Sequence, residues 1–207
     1  MFRMFKTNRF LKILFPKYIW ELPNTEKKIY LTFDDGPIPE VTEWVLDILK
    51  AENVKATFFC IGDNIQKHQK VFNRIQSEGH AIGNHTFNHL NGWKTSSSDY
   101  IENFKKCEST INNNSKLFRP PYGKISPFQA KQILKDNYKI IMWDVLSYDF
   151  DNEISSQKCL NNVIKNIETG SIIVFHDSLK AEQNLRYVLP KAITYLKEKG
   201  FEFDVIT

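Results

Sequence analysis

The stretch Leu31-Thr32-Phe33-Asp34-Asp35-Gly36-Pro37 decides the reading of the chain. Ile29, Tyr30, Leu31 and Phe33 supply apolar, mostly strand-favouring residues, and Gly36-Pro37 stops any extension. Asp34 and Asp35 are therefore expected at the C-terminal end of a strand, where loops carry chemistry in parallel α/β folds. Neighbouring strand residues point to opposite sides, so a regular strand does not bring the two carboxylates to one pocket. A sharp turn at Gly36 does. Asp-Asp-Gly turns are also common in solvated loops, and on this stretch alone both readings stand.

Outward from that strand, apolar runs alternate with helical spacing. Val41, Trp44, Val45, Ile48 and Leu49 mark a helix, with Pro39 in its first turn. Strands are expected at Ala56–Ile61, His80–Gly83, Leu117–Arg119, Tyr138–Val145, Ser171–Phe175 and Phe201–Ile206. Helices fall between them. One is capped by Asp63 and ends at Gly79, one spans about residues 99–112, and one begins near Ser126-Pro127. Another carries Leu160, Val163, Ile164 and Ile167, and the last starts or kinks at Pro190. About seven strands alternating with helices argue for parallel βαβ units, in a barrel or an open sheet. Each motif-bearing stretch follows a strand, as a site at one end of a β/α barrel requires.

The 207 residues suggest one domain with a sizeable core. Sixteen Phe, eight Tyr and four Trp can fill that core and line a groove. Cys60, Cys107 and Cys159 are odd in number and far apart, which indicates neither a disulfide framework nor a cysteine zinc site. The net charge of +4 is unevenly placed. Residues 1–20 hold Arg3, Lys6, Arg9, Lys12 and Lys17 without an acid, and the remaining 23 basic residues face 24 acidic ones. The body is thus near neutral, and no nucleic-acid partner is expected.

The basic start also carries Phe2, Phe5, Phe10, Leu11, Ile13, Leu14 and Phe15. Lys12 interrupts the apolar residues and Pro16-Lys17 follows, so no cleavable signal is read. Composition sets a basic apolar segment, residues 1–24, apart from the body of the chain, residues 25–207. The segment reads either as a helix packed on the domain or as a peripheral membrane contact through residues 1–20. With no export signal or spanning stretch, a reducing, cytoplasmic location is the default, with the inner membrane surface as its variant.

His85 and His89 are spaced i, i+4, and on one helical turn two imidazoles at that spacing share a face and can share a metal. The same spacing occurs in ordinary core or surface turns. Asp35 would complete a His-His-carboxylate set, whose three ligands leave positions open, as a catalytic metal needs. Zinc fits the nitrogen ligands best, and Co2+, Fe2+ or Ni2+ also suit them. Asp34 then reads as a general base and Arg119 as a fork that fixes it, although an Arg before a Pro-rich turn is also an ordinary surface residue. His176, at the end of an apolar strand, reads as a general acid or as a satisfied core histidine.

Taken together, these residues resemble the polysaccharide deacetylase family, carbohydrate esterase family 4. Its five motif regions occur in order: Thr32–Pro37, His85–His89, Arg119–Gly123, Trp143–Phe150 and Val174–Asp177. The resemblance implies a distorted (β/α) barrel with about seven parallel strands, and metal-dependent removal of N-acetyl groups from a glycan such as chitooligosaccharide, peptidoglycan or a lipid-linked sugar. It implies Asp34 as base, Asp35, His85 and His89 as metal ligands, and Arg119 as support for Asp34. It further implies that the Tyr122 backbone N–H meets the oxyanion, that Val174 lines the acetyl pocket, and that His176 is the acid. Trp143, Tyr122 and Phe150 then belong to the sugar groove. The fourth motif departs from the common pattern, with Leu146 in place of an Asp and Phe150 in place of a Trp. Asp149 remains and is expected to pair with Arg119. The competing readings are hydrolysis of another non-peptide C–N bond and a non-catalytic carbohydrate-binding domain.

Overall fold

The computed structural model describes residues 4–207. Phe2 and Arg3 of the basic start lie outside the described residues. The elements run α1 (Arg9–Leu14), β1 (Tyr18–Ile19), β2 (Lys28–Asp34), α2 (Val41–Ala51), β3 (Thr57–Cys60), α3 (Gly62–Lys67), α4 (Gln69–Ser77) and β4 (Ala81–Asn84). They continue with α5 (Ser97–Ile111), β5 (Leu117–Phe118), α6 (Pro127–Lys135), β6 (Lys139–Ile141), β7 (Val145–Leu146), α7 (Ser156–Asn166), β8 (Ile172–His176), α8 (Glu182–Glu198) and β9 (Glu202–Phe203).

The named strands pair in parallel in the order β1-β6-β5-β4-β3-β2-β8-β7, with β9 added to the lower part of β2. This is the expected curled β/α sheet. β2 lies at its centre, in register with β3 from Thr32 to Asp34 and with β8 from Tyr30 to Asp34. Both faces of β2 are covered, as a parallel sheet requires. Leu31 and Phe33 face the helices, and Phe33 stacks between Phe58 and Phe175 at ring distances of 5.0 and 5.9 Å. Tyr30, Thr32 and Asp34 share the opposite, inner face by the two-residue period. Tyr30 packs there with Phe59, Leu117, Ile141, Ile172 and Ile206, an apolar plug inside the barrel.

Several local expectations are corrected. Tyr138–Val145 is not one strand: β6 ends at Ile141 and β7 begins at Val145, because Met142 donates to Ile19 O while Asp144 donates to Ile172 O. The two halves thus pair with different neighbours. The expected helix ending at Gly79 is two helices broken at His68, and no side chain caps the first, so Asp63 lies within its opening turn rather than before it. α2 starts at Val41, after Pro39. α8 starts at Glu182 and runs through Pro190 to Glu198. The last strand shrinks to two residues.

The N-terminal residues join the sheet. β1 pairs with β6, Phe5 O accepts from Leu146 N, and Lys6 forms an antiparallel bridge with Val145. Residues 5–7 and 18–19 thereby occupy the opening between β6 and β7. The three cysteines are free and buried. No helix among the described residues is long and apolar enough to cross a membrane.

Candidate active site

β2 delivers Asp34 to the barrel mouth with only 4% of the residue exposed. Burial alone would push its carboxyl up. The Arg119 guanidinium, helped by His85 and His176, outweighs that and holds it below the usual range. Arg119 is fully buried inside the barrel, with its guanidinium over the Phe59 ring at 4.1 Å. It donates four hydrogen bonds: to Asp34 Oδ1 and Thr32 Oγ1, both at 2.7 Å, to Met142 O at 2.9 Å and to Ile141 O at 3.3 Å. A charge so placed is tolerable only when its donors are used, and the fork is fixed accordingly. Asp34 Oδ1 is therefore occupied. Its Oδ2 faces His85 Nε2 at 4.0 Å and accepts no hydrogen bond among the described residues.

Asp35 does turn back toward the same mouth, but the reversal sits at Asp35 itself, with φ at +86°, rather than at Gly36. Gly36 is needed for another reason. A Cβ there would lie 2.0 Å from Asp177 Oδ2. Asp177 is fully buried, accepts from Gly36 N at 3.0 Å and from the Thr42 hydroxyl at 2.6 Å, and its own N–H donates to Asp34 O. Burial pushes its carboxyl up to about 8. It pins the Asp34–Gly36 turn against β8. No role for it was legible in the sequence, although it stands in a motif.

His85 and His89 converge with Asp35, but not on a helical turn. The segment after β4 is a loop in which Thr86 and His89 have φ of +62° and +55°. Left-handed backbone at a buried β-branched residue costs about 1–3 kcal/mol and gathers at functional sites. Asp35 Oδ1 lies 3.3 Å from His89 Nε2 and 3.8 Å from His85 Nε2. A tetrahedral ion with bonds of about 2.1 Å separates its ligand atoms by about 3.4 Å, so these donors fit one. The three ligand atoms lie within 4.8 Å of one another. Their protonation fits as well. His85 Nδ1 donates to Arg119 O at 2.7 Å, which leaves its Nε2 lone pair for the ion, and His89 Nδ1 pairs with the Tyr122 hydroxyl at 3.1 Å. Burial pushes both imidazoles down, His89 to about 4, so both are neutral. Asn64 adds a hydrogen bond to Asp35 O at 2.8 Å.

The expected pair of Asp149 with Arg119 does not form. Asp149 is fully buried and grips His176 instead, accepting its Nδ1–H and its backbone N–H, both at 2.8 Å. Arg119 is already filled by Asp34, Thr32 and two carbonyls. Burial opposes charge on His176, but Asp149 outweighs it and the imidazole is pushed up to about 9. With Nδ1 held, its Nε2–H is the free proton.

A cavity of about 660 Å3 joins these groups, lined by Asp34, Asp35, His85, His89 and His176. The expected groove residues Tyr122, Trp143, Phe150 and Val174 line it too, as do Leu146 and Leu179. Gly123, with φ of +64°, permits the approach of Trp143, since a Cβ there would sit 2.7 Å from the indole. Phe150 meets His176 edge-on at 4.8 Å. Tyr122 has φ of +60°, and its N–H makes no hydrogen bond among the described residues.

A buried carboxylate beside three donors that could hold a metal ion, with a protonated imidazole across the cavity, defines a hydrolase-type centre at the mouth of a β/α barrel. A family model for polysaccharide deacetylases matches residues 21–141, and the chain belongs to that family, whose members are metal-dependent deacetylases. The chain is 39% identical over 191 residues to a peptidoglycan-N-acetylglucosamine deacetylase of Bacillus cereus, covering 90% of this chain and 69% of the relative. It is 31% identical to a chitooligosaccharide deacetylase of Azorhizobium caulinodans, covering 87% of this chain and 93% of the relative. The crystal structure of the Bc1960 peptidoglycan N-acetylglucosamine deacetylase, in complex with 4-naphthalen-1-yl-N-oxidanyl-benzamide, superposes with a TM-score of 0.89 at 36% identity, covering 97% of this chain and 95% of that one.

Proposed function

We propose that this protein hydrolyses the N-acetyl group of an N-acetylglucosamine-containing glycan, of the peptidoglycan or chitooligosaccharide kind, by a single displacement with water. The observation that carries the reading is the convergence on one cavity of an ionised Asp34, the Asp35–His85–His89 set and a protonated His176.

Asp35, His85 and His89 would hold one divalent cation, with zinc first among candidates for two imidazoles and a carboxylate. Such a cation lowers the pKa of a water to about 7 and polarises a carbonyl. Asp34 Oδ2, with Oδ1 tied to Arg119, takes the proton of the attacking water. Arg119 keeps that oxygen aimed and keeps the carboxylate charged until it reacts. As the carbonyl carbon becomes tetrahedral, the unused Tyr122 N–H donates to its oxygen. The C–N bond then breaks, and His176 Nε2 gives its proton to the departing amine. Acetate and a free amino sugar result. Val174 and Leu146 form the apolar wall beside the acetyl methyl, and Trp143, Tyr122 and Phe150 offer flat faces to sugar rings. Ser178 lines the cavity but its hydroxyl makes no hydrogen bond to a histidine among the described residues, and no Cys lines the cavity, in keeping with a route that needs no acyl-enzyme.

The base is held by Arg119 and the acid by Asp149, pairings that a sugar-binding domain has no use for. The relatives named above act on glycans by their names, which supports the substrate class. The test is acetate release from N-acetylglucosamine oligomers and peptidoglycan fragments, using metal-stripped protein with and without added zinc or cobalt. Metal-dependent release supports the proposal. No release from any glycan, with metal bound, overturns it.

A further inference from the structure

α1 carries its polarity inside out. Its lysine is turned inward: Lys12 Nζ meets Glu21 and, at 2.7 Å, the buried Asp144, with 16% of the side chain exposed. The apolar residues point outward. Phe10 is 68% exposed, Ile13 67% and Leu14 56%, and Phe15 follows at 40%. These are four of the nine large apolar side chains exposed among the described residues, gathered in six consecutive positions. An isolated exposed apolar residue needs no explanation, but a contiguous group does.

The segment is also held rigidly. Asn8 caps α1, the Thr7 hydroxyl donates to Trp143 O at 2.7 Å, and Lys6 pairs with Glu168 at 2.9 Å. Asp144 takes a further hydrogen bond from Ser171. The apolar face is therefore presented by the fold and is not a frayed end. Arg9 and Lys17 bracket it, both exposed and both without an ion pair among the described residues. Residues 4–20 contain no acid, and the first one, Glu21, is taken by Lys12. Phe15 stacks on Tyr18 at 5.5 Å, and Trp20 Nε1 donates to Phe15 O, so aromatic rings continue the patch toward the body.

We propose that this face, Phe10, Ile13, Leu14 and Phe15 with Arg9 and Lys17, seats the protein on the interface of a bilayer carrying anionic lipid. Apolar insertion and cationic attraction are both needed, since either alone binds marginally. Charge argues against a second copy as the occupant. A two-fold contact through this patch sets Arg9 and Lys17 of one chain against the same cations of the other, with no free acid nearby.

The contacts that hold the patch lie at the opposite end of β8 from the catalytic cavity. Lys6 and Lys12 reach Glu168, Asp144 and, through Asp144, Ser171, all at the N-terminal end of β8. His176 and Asp34 lie at the C-terminal ends of β8 and β2. Five strand residues span about 16 Å along the strand, which separates these contacts from the cavity.

The test is co-sedimentation of the full chain with phosphatidylcholine vesicles, with and without phosphatidylglycerol. Wild type is expected to bind the phosphatidylglycerol vesicles, less so at high salt. Arg9→Glu/Lys17→Glu should weaken binding by at least about thirty-fold, from two cations at the surface. Phe10→Ser/Ile13→Ser/Leu14→Ser should abolish it. All three side chains are exposed, so circular dichroism and zinc affinity should match wild type. Failure of wild type to bind, or unchanged binding by the serine variant, overturns the proposal. So does light scattering that shows a dimer lost in the serine variant. Zinc affinity is a separate readout, so neither result bears on the active-site reading.

Discussion

Replacing Asp149 by Asn keeps an oxygen for the His176 Nδ1–H but removes the charge that keeps the ring protonated. In the wild-type protein the imidazole is raised from 6.5 to about 9, and Asp149 is the first of the groups that raise it. At about 1.4 kcal/mol per unit, that shift is worth about 3 kcal/mol to the protonated form. The sign follows from linkage. The contribution to folding stability is complete below pH 6.5 and is lost as the pH rises through about 9. Without the charge, burial is the largest remaining influence and brings the ring back down toward its ordinary 6.5. At pH 8 the protonated fraction then drops from about nine-tenths to about one-thirtieth, and at pH 6 it hardly changes. Acetate release by Asp149→Asn should accordingly fall about thirty-fold at pH 8 and recover most of its rate at pH 6. A cation at Asp35 offsets part of the negative charge near His176, so about 9 is the ceiling for the wild-type alkaline limb. The Asn amide group also faces the His176 N–H, a donor against a donor, costing about 1–3 kcal/mol of stability at any pH. The assay is a pH–rate profile of kcat/KM for both proteins. An alkaline limb at the same pH in both would refute the assignment of Asp149 as the group that sets the acid.

Arg119→Met leaves Asp34 buried without its partner, and should cost about 3–5 kcal/mol. At about 2–4 °C per kcal/mol, Tm falls by about 6–20 °C in a scan, and acetate release is lost. Gly36→Ala drives a Cβ against Asp177 at 2.0 Å. The loss should exceed the roughly 1 kcal/mol of an average substitution and should weaken zinc binding by displacing Asp35, read by calorimetry. Chelation should stop acetate release, and zinc should restore it. Zinc at 100 times its Kd should add about 2.7 kcal/mol of stability, read as a rise in Tm.

How much of this was legible in the chain depended on the range of the signal. The apolar run into Asp34-Asp35 and the Gly-Pro stop are local, and β2 with its carboxylates sits where they indicate. The donors Asp35, His85 and His89 converge as their types suggest, but the i, i+4 spacing misled about the backbone between the histidines. A loop with two left-handed residues reaches the same convergence as a helical turn. The partner of Asp149 was not legible at all. Two buried cations, Arg119 and His176, compete for two carboxylates, and only the register of β2 against β8 and the path of the 147–150 loop decide which meets which. The break at Met142–Asp144 follows from the N-terminal residues entering the sheet, contacts across more than 120 positions that no local pattern encodes.

The central claim is that Asp34 acts as base beside a metal held by Asp35, His85 and His89. Asp34→Asn separates the two roles. Zinc binding to metal-stripped wild type and Asp34→Asn should be titrated in parallel with acetate release from N-acetylglucosamine oligomers. The account predicts one zinc per chain with similar affinity in both proteins, and release in wild type alone. Release persisting in Asp34→Asn, or zinc binding lost with it, would contradict the assignment.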